Sequence, residues 1–180
     1  MQTVDVGMLT FVPVTQAVDL VGEPVKRYLQ ANDPNGLWVS AIDPNLADTA
    51  AFCEHYGVGL DISANCVVVE ARRAERLLHA ACVVLATTRA DVNGIVRKRL
   101  GARKISFAPM DTAVARTGME YGGITPIALP SDWPILIDDN VVGQDRVIIG
   151  SGIRGSKLLA SSHILESLPN AEVLAITRAD

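Results

Sequence analysis

Short runs of valine, isoleucine and leucine, separated by glycine and proline, constrain the fold of this chain more than any other feature. Clear examples are the runs at 66–69, 82–86 and 146–149. Aromatic residues make up only 4% of the 180 residues, so the core must be built mainly from aliphatic side chains. Because valine and isoleucine favour extended backbone, these runs predict a core dominated by β-sheet.

The order of the remaining predicted elements indicates how that sheet is built. Further strands are predicted at 37–42, 104–107, 127–129, 134–137 and 172–176, and helices at 24–29, 46–56, 91–100, 110–116 and 164–168. Strands and helices do not alternate strictly, which argues against a doubly wound parallel sheet. The sequence therefore predicts an α+β fold with a mixed, barrel-like sheet and flanking helices.

Charge, hydropathy and cysteine content narrow the class of protein. The net charge of −4 argues against non-specific coating of nucleic acid. The apolar runs are far shorter than the roughly 20 residues of a membrane helix, and the N-terminus carries Asp5 without a basic segment. Three cysteines without paired spacing predict reduced thiols, and no Cys/His cluster has zinc spacing. We expect a cytoplasmic protein with no membrane or DNA partner, no metal and no cofactor.

Basic residues cluster in two places in this acidic chain, at 72–76 and at 97–104. A phosphate-binding face has this composition, and so does a solvated helix face next to a charged turn. The sequence leaves both interpretations open. The candidate phosphate contacts are Arg72, Arg73, Arg97 and Lys98.

Three further motifs are compatible with a binding site. Adjacent glycines in the loop 117–126 permit positive φ and expose N–H groups that can point at a carbonyl oxygen or an anion. The strand at 134–137 ends in Asp138, where a carboxylate often lines a cleft. A glycine-rich turn at 150–155 resembles a small phosphate or adenosine cradle. Taken alone, each motif is better explained as an ordinary turn or strand end.

In this order, the features resemble the YbaK/prolyl-tRNA synthetase-associated domain family. The resemblance runs from about Pro24 to Leu168, and its most specific part is the spacing from Gly122 to Pro126 before a strand that ends in Asp138. It implies a domain at 24–180, with residues 1–23 as an extension packed on it. The implied activity is aminoacyl-tRNA editing, which hydrolyses the ester that joins a wrong amino acid to tRNA. The implied partners are the acceptor end of an aminoacyl-tRNA and, as a candidate, an aminoacyl-tRNA synthetase.

The resemblance also assigns roles to individual residues. Asp138 would position the nucleophile or the substrate amine, and Asn65 would touch the substrate carbonyl or the adenosine. The implied catalytic set is Asn65, Gly122, Gly123 and Asp138. The implied substrate-binding set is Thr125, Pro126, Ser151, Gly152 and Arg154.

One departure from the family leaves two functions open. The family usually carries a lysine just before the first central strand, where this chain has Asn65, or Ala64 in a register one residue earlier. A neutral amide stabilises an oxyanion less than an ammonium, and losing one such donor costs about 10²–10³ in rate. Asn65 itself, Arg154 or Lys157 could recover part of the lost rate, and the chain would then be a trans-editing deacylase. Otherwise the domain binds tRNA, a nucleotide or a protein partner without cleaving an ester.

Overall fold

The computed structural model describes residues 1–178 and contains two five-stranded sheets. Its strands are β1 Val4–Val6, β2 Leu9–Pro13, β3 Leu37–Ala41, β4 Ala64–Arg73, β5 Arg76–Leu85, β6 Lys104–Phe107, β7 Ile135–Asp138, β8 Arg146–Gly150, β9 Ser156–Ser161 and β10 Ala171–Leu174. Its helices are α1 Glu23–Ala31, α2 Thr49–Tyr56, α3 Arg97–Arg99, α4 Met110–Thr117, α5 Asp139–Val142 and α6 Ser162–Glu166.

The two sheets differ in strand direction. The first has the order β1-β2-β3-β9-β8 with antiparallel pairs throughout. The second has the order β10-β7-β5-β4-β6, in which β7 runs parallel to both β10 and β5. A parallel bridge between Ser63 and Ile148 joins the start of β4 to β8 of the first sheet. The mixed, barrel-like α+β architecture predicted from the sequence is confirmed.

The main core lies between the two sheets and is aliphatic. Leu37, Ile149 and Leu158 from the first sheet pack in one buried cluster with Val83 and Ile137 from the second. This arrangement explains the low aromatic content, because small branched side chains on facing strands fill the space between sheets.

The β4–β5 hairpin is the longest paired element and carries one wall of the site. Its register runs from Ala64 opposite Leu85 to Arg73 opposite Arg76. Each strand has 10 residues and is therefore longer than the apolar run that predicted it. The extra residues include exposed arginines next to the turn and buried residues such as Ala71, His79 and Ala80 further along the ladder.

Three local predictions need correction. The strand predicted at 127–129 is a turn in which Ala128 has φ +70°, a conformation that a strand residue does not adopt. The helix predicted at 46–56 is interrupted, because the Asp48 side chain caps α2 by accepting from the N–H groups of Ala50 and Ala51. β9 was not predicted, because its apolar residues follow directly on the glycine-rich turn at 150–155.

Residues before Pro24, predicted to be an extension packed on the domain, form β1 and β2 at the edge of the first sheet. β2 pairs with β3 through Val12 opposite Val39. Phe11 is fully buried in a second cluster with Trp38 and Phe52. None of the helices within residues 1–178 has both the length and the apolar character needed to cross a membrane.

Candidate functional site

A cavity of about 330 Å³ opens between the two sheets. Its walls are the start of β4, the end of β6, the N-terminus of α2, the loop at 121–124, and the paired residues Gly150 of β8 and Lys157 of β9. This volume falls in the range of small-molecule sites. The cavity is the candidate functional site.

Asn65 presents its amide to this cavity from β4. The Thr49 hydroxyl, Oγ1, donates a hydrogen bond of 2.6 Å to Asn65 Oδ1. Both residues line the cavity, and among residues 1–178 the Asn65 Nδ2 group has no hydrogen-bond acceptor. The amide N–H groups are therefore available to a ligand.

Lys157 is the buried cation of the cavity. Its residue surface is only 7% exposed, and its Nζ donates to the backbone oxygen of Ala47 at 3.0 Å. Nζ also lies 5.2 Å from the centre of the Phe52 ring. Within the described part of the chain, no carboxylate oxygen lies within 4.0 Å of this ammonium. Burial lowers the pKa of Lys157 from its usual value, because desolvation penalises the charged form.

Of the two adjacent glycines in the loop, Gly122 reaches the cavity and Gly123 does not. Gly122 lines it with φ +85°, a conformation that favours glycine. A Cβ on Gly123 would lie 2.5 Å from the backbone of Ile153, so a side chain there is excluded. The Gly123 N–H is already used, since it donates to Glu120 O at 2.9 Å. The Gly122 N–H has no acceptor among residues 1–178, so of the two glycines only Gly122 can donate to a ligand.

The turn at 150–155 braces the glycine loop. Gly152 N donates to Gly123 O at 2.7 Å, and Gly152 O accepts from Glu120 N at 3.0 Å. Ser151 is fully buried and donates to backbone oxygens of Ile153 and Ser156, both at 3.1 Å. Neither Ser151 nor Gly152 lines the cavity, so the structure does not bring these two residues of the predicted substrate-binding set to its wall.

Arg154 also acts on the loop rather than in the cavity. Its Nη1 donates to Tyr121 O at 3.1 Å and its Nε to Pro44 O at 3.2 Å, which clamps the glycine loop to the segment before α2. Thr125 and Pro126 are buried behind the loop and do not line the cavity. The placement predicted for these three residues is corrected in the same way: they support the wall of the cavity and do not face it.

Asp138 lies outside the cavity, and its predicted position there is wrong. It is fully buried at the end of β7. One carboxylate oxygen accepts from the backbone and side-chain nitrogens of Asn140 at 3.2 and 2.8 Å. The other accepts from the backbone N–H groups of Ile176 and Thr177 at 2.9 and 3.2 Å. All four contacts are structural, so Asp138 caps α5 and fastens the segment after β10.

The two basic clusters meet at one end of the second sheet. Arg72 of β4 is paired with Lys104 of β6, and Arg103 N donates to Arg72 O at 2.7 Å. The Arg73 side chain lies beside Gly101, which directly follows α3 and its residues Arg97 and Lys98. Positions 72–73 and 97–104, distant in sequence, therefore form one positively charged region.

Several cavity residues were not predicted. Asp48 and Thr49 form the start of α2, whereas the sequence predicted a helix that runs through both positions from 46 to 56. Phe107 and Tyr121 are 65% and 54% exposed, which is unusual for aromatic side chains lining a cavity. Cys66 also lines it, but burial raises the pKa of its thiol, which therefore stays protonated and is a poor nucleophile.

The described residues offer no set of side chains that could ligate a metal ion. Nowhere within residues 1–178 do three histidine, cysteine or acidic side chains come together as a group that could hold a metal ion. The polar groups at the cavity wall are an amide, a hydroxyl, an ammonium, backbone N–H groups and the Asp48 carboxylate, which accepts from the first N–H groups of α2. The donors among these groups can polarise a carbonyl or bind an anion.

Comparison with protein families gives one match that covers most of the chain. The profile of the aminoacyl-tRNA editing domain family matches residues 43–166. This range contains the whole cavity, from Ala47 to Lys157. A search of curated proteins gives no significant match.

Comparison with solved structures supports the same fold. A structure described as a candidate trans-editing enzyme for prolyl tRNA synthetase superposes with a TM-score of 0.74 at 18% identity, covering 87% of this chain and 96% of that one. The hypothetical protein APE2540 superposes with a TM-score of 0.75 at 20% identity, covering 87% and 100%. At these identities the likeness establishes the fold.

Proposed function

Because this chain belongs to the aminoacyl-tRNA editing domain family, we propose that it is a trans-editing deacylase that hydrolyses the ester of a mischarged tRNA. The observation that carries the proposal is the convergence of Asn65 and Gly122 on one cavity. They come from β4 and from the glycine loop, which are 57 positions apart in the sequence. Each offers N–H groups without an internal acceptor among residues 1–178.

The chemistry needs positioning and polarisation rather than a nucleophilic side chain. An aminoacyl ester is already activated, so donors that hold its carbonyl oxygen stabilise the charge that develops there. Water bonds to the carbonyl carbon, the bond from that carbon to the ribose oxygen breaks, and the ribose oxygen takes up the proton that water loses. Asn65 Nδ2 and Gly122 N–H are the proposed donors to the carbonyl oxygen.

The charged region supports binding of the nucleic acid next to the cavity. Along the β4–β6 pair, Arg72 is opposite Lys104 at the basic end, and Val69 is opposite Phe107 near the cavity. The two ends are three residues apart, or roughly 10 Å along a strand. Phosphates of the acceptor arm would contact Arg72, Arg73, Arg97 and Lys98. A terminal base could stack on exposed Phe107, as bases of single strands do on aromatic side chains.

The rival function is a binding module that recognises tRNA without cleaving it. Asn65 in the place of the family lysine is the observation that favours it. Deacylation of a panel of mischarged tRNAs by the wild type and by Asn65→Lys separates the two functions. Release of amino acid by the wild type supports the deacylase, whereas release by Asn65→Lys alone supports the binding module.

A further inference from the structure

We infer that the Lys157 ammonium is the catalytic cation of this site, contributed by a different strand from the one that carries the family lysine. This inference rests on the proposed deacylase function and names one of its catalytic groups. Lys157 stands on β9 in the first sheet, whereas Asn65 stands on β4 in the second. Both line the same cavity, so the charge missing at Asn65 is supplied from the opposite wall.

The surroundings of Lys157 are those of a group held ready for a ligand. An ammonium has three N–H donors, and here one of them is used, by Ala47 O at 3.0 Å. No carboxylate in residues 1–178 lies within 4.0 Å to neutralise it. Asp48, which also lines the cavity, attracts this charge without forming an ion pair, so the cost of burying the ammonium is only partly compensated, and an apolar side chain would pack here without that cost. An incoming carbonyl oxygen that becomes negative provides the missing partner.

The nearest rival cation is excluded by its contacts. The Arg154 guanidinium is held by Pro44 O and Tyr121 O, and Arg154 does not line the cavity. Lys157 therefore remains as the cation that faces the cavity. Its ammonium lies over the Phe52 ring, and its partner in the β8–β9 register is Gly150, which also lines the cavity. The side-chain position of Gly150 is taken by the backbone oxygens of Gly123 and Ile124, so the glycine loop packs directly against the strand beside Lys157.

During hydrolysis Lys157 keeps its proton and forms no covalent bond. It donates hydrogen bonds to the carbonyl oxygen as the negative charge grows there, together with Asn65 Nδ2. This role differs from simply tying down the segment at Ala47. If Lys157 served only to hold the segment at Ala47, any substitution that loosens this segment would lower the rate of deacylation. A cation placed on β4 would then not restore that rate.

The experiment compares wild type, Lys157→Met and the double variant Asn65→Lys/Lys157→Met in single-turnover deacylation of mischarged tRNAs. Methionine keeps an unbranched side chain of similar length and removes the charge. We expect Lys157→Met to lower kcat about 10²–10³-fold with little change in KM, because the cation acts on the developing charge. The double variant should recover at least about tenfold of that loss.

Each outcome decides the inference. Equal kcat in wild type and Lys157→Met, or a double variant no better than Lys157→Met, overturns the role of Lys157 and leaves the deacylase function standing. A wild type inactive on every tRNA overturns the deacylase and this inference with it. If thermal denaturation shows that Lys157→Met does not fold, Lys157→Gln takes its place, because glutamine can still donate a hydrogen bond to Ala47 O. The same criteria then apply to Lys157→Gln and to the double variant Asn65→Lys/Lys157→Gln.

Discussion

Thr49 Oγ1 lies 2.6 Å from Asn65 Oδ1 and donates to it, which turns the Asn65 amide so that its N–H groups face the cavity. The first residue of α2 thus orients a side chain on β4. An asparagine without this hydrogen bond could present either its oxygen or its nitrogen to a ligand. The hydrogen bond therefore converts an ambiguous amide into a directed donor.

Replacing Thr49 with valine should lower the deacylation rate. The valine keeps the shape of the side chain but cannot donate, so nothing holds the Asn65 amide in its orientation. We expect a fall in kcat of about tenfold, less than for removal of an entire donor. Single-turnover deacylation measures it, and Thr49→Ser is the matched control that keeps the hydroxyl. Equal rates in Thr49→Val and wild type would show that the amide needs no such orientation.

Replacing Asp138 with alanine should lower the stability of the fold rather than remove a catalytic group. Four N–H groups lose a buried, charged acceptor, which we expect to cost about 3 kcal/mol or more in the free energy of unfolding. Urea denaturation measures that cost, and the exposed neighbour Asp139 gives the control Asp139→Ala, which should stay within about 0.5 kcal/mol. A stable Asp138→Ala protein without activity would restore the catalytic role first predicted for Asp138.

The depressed pKa of Lys157 predicts a stability that rises with pH. Burial lowers the folded-state pKa below the unfolded value of about 10.4, so between the two values the unfolded chain binds more protons. The free energy of unfolding therefore increases as the pH rises through that window. Asp48 and Cys53 oppose the depression of the pKa, and Arg154 adds to it.

Urea denaturation of wild type and Lys157→Met across that window tests this pH dependence. The difference in stability between the two proteins should shrink as the pH rises, because wild type loses the cost of burying a charge. Exposed Lys98 provides the control Lys98→Met, whose difference from wild type should not change in this way. If the free energies of unfolding of wild type and Lys157→Met change with pH in parallel, burial does not lower the pKa of the Lys157 ammonium.

Removing the charge of Arg73 or Arg97 should weaken tRNA binding without affecting the chemical step. Removal of one phosphate-binding cation should reduce the slope of log affinity against log salt by about 1 and raise KM at constant kcat. Binding titrations at several salt concentrations measure it. Arg146, at the far end of β8 from Gly150 and stacked over Trp38, gives the control Arg146→Ala. An unchanged salt slope in both variants would mean that the nucleic acid binds to another face of the protein.

The sheet was predictable because its strands are nearly pure apolar runs, and burial of a run on both faces leaves a strong signal. β9 and the turn at 127–129 could not be predicted, for opposite reasons. Ser156 and Lys157 give β9 a polar beginning, while Ile127 and Leu129 look like strand residues but surround Ala128 with positive φ. Local composition does not report backbone conformation imposed by tertiary packing.

The site was predictable only in part, because a motif does not say which of its residues faces a ligand. Asn65 and Gly122 line the cavity. The polar groups of Asp138, Gly123 and Ser151 are instead hydrogen-bonded to backbone partners. Two partners of Asp138, the N–H groups of Ile176 and Thr177, lie 38 and 39 positions away in sequence, so no local pattern could have revealed them. The contribution of Lys157 likewise depends on the pairing of β8 with β9 beside β3.

The most direct test of the account is the release of amino acid from a panel of mischarged tRNAs by wild type and by Gly122→Ala. Gly122 has φ +85°, a conformation that is strained for alanine, and a Cβ there would lie 2.5 Å from Arg154 Nη1. Alanine should therefore push the Arg154 side chain aside and shift the strained loop that walls the cavity. Gly155→Ala is the matched control, since its Cβ would meet no atom within 4 Å. The account predicts release by wild type and Gly155→Ala and loss of release in folded Gly122→Ala. Binding of the tRNAs by the wild type with no release from any of them would contradict it.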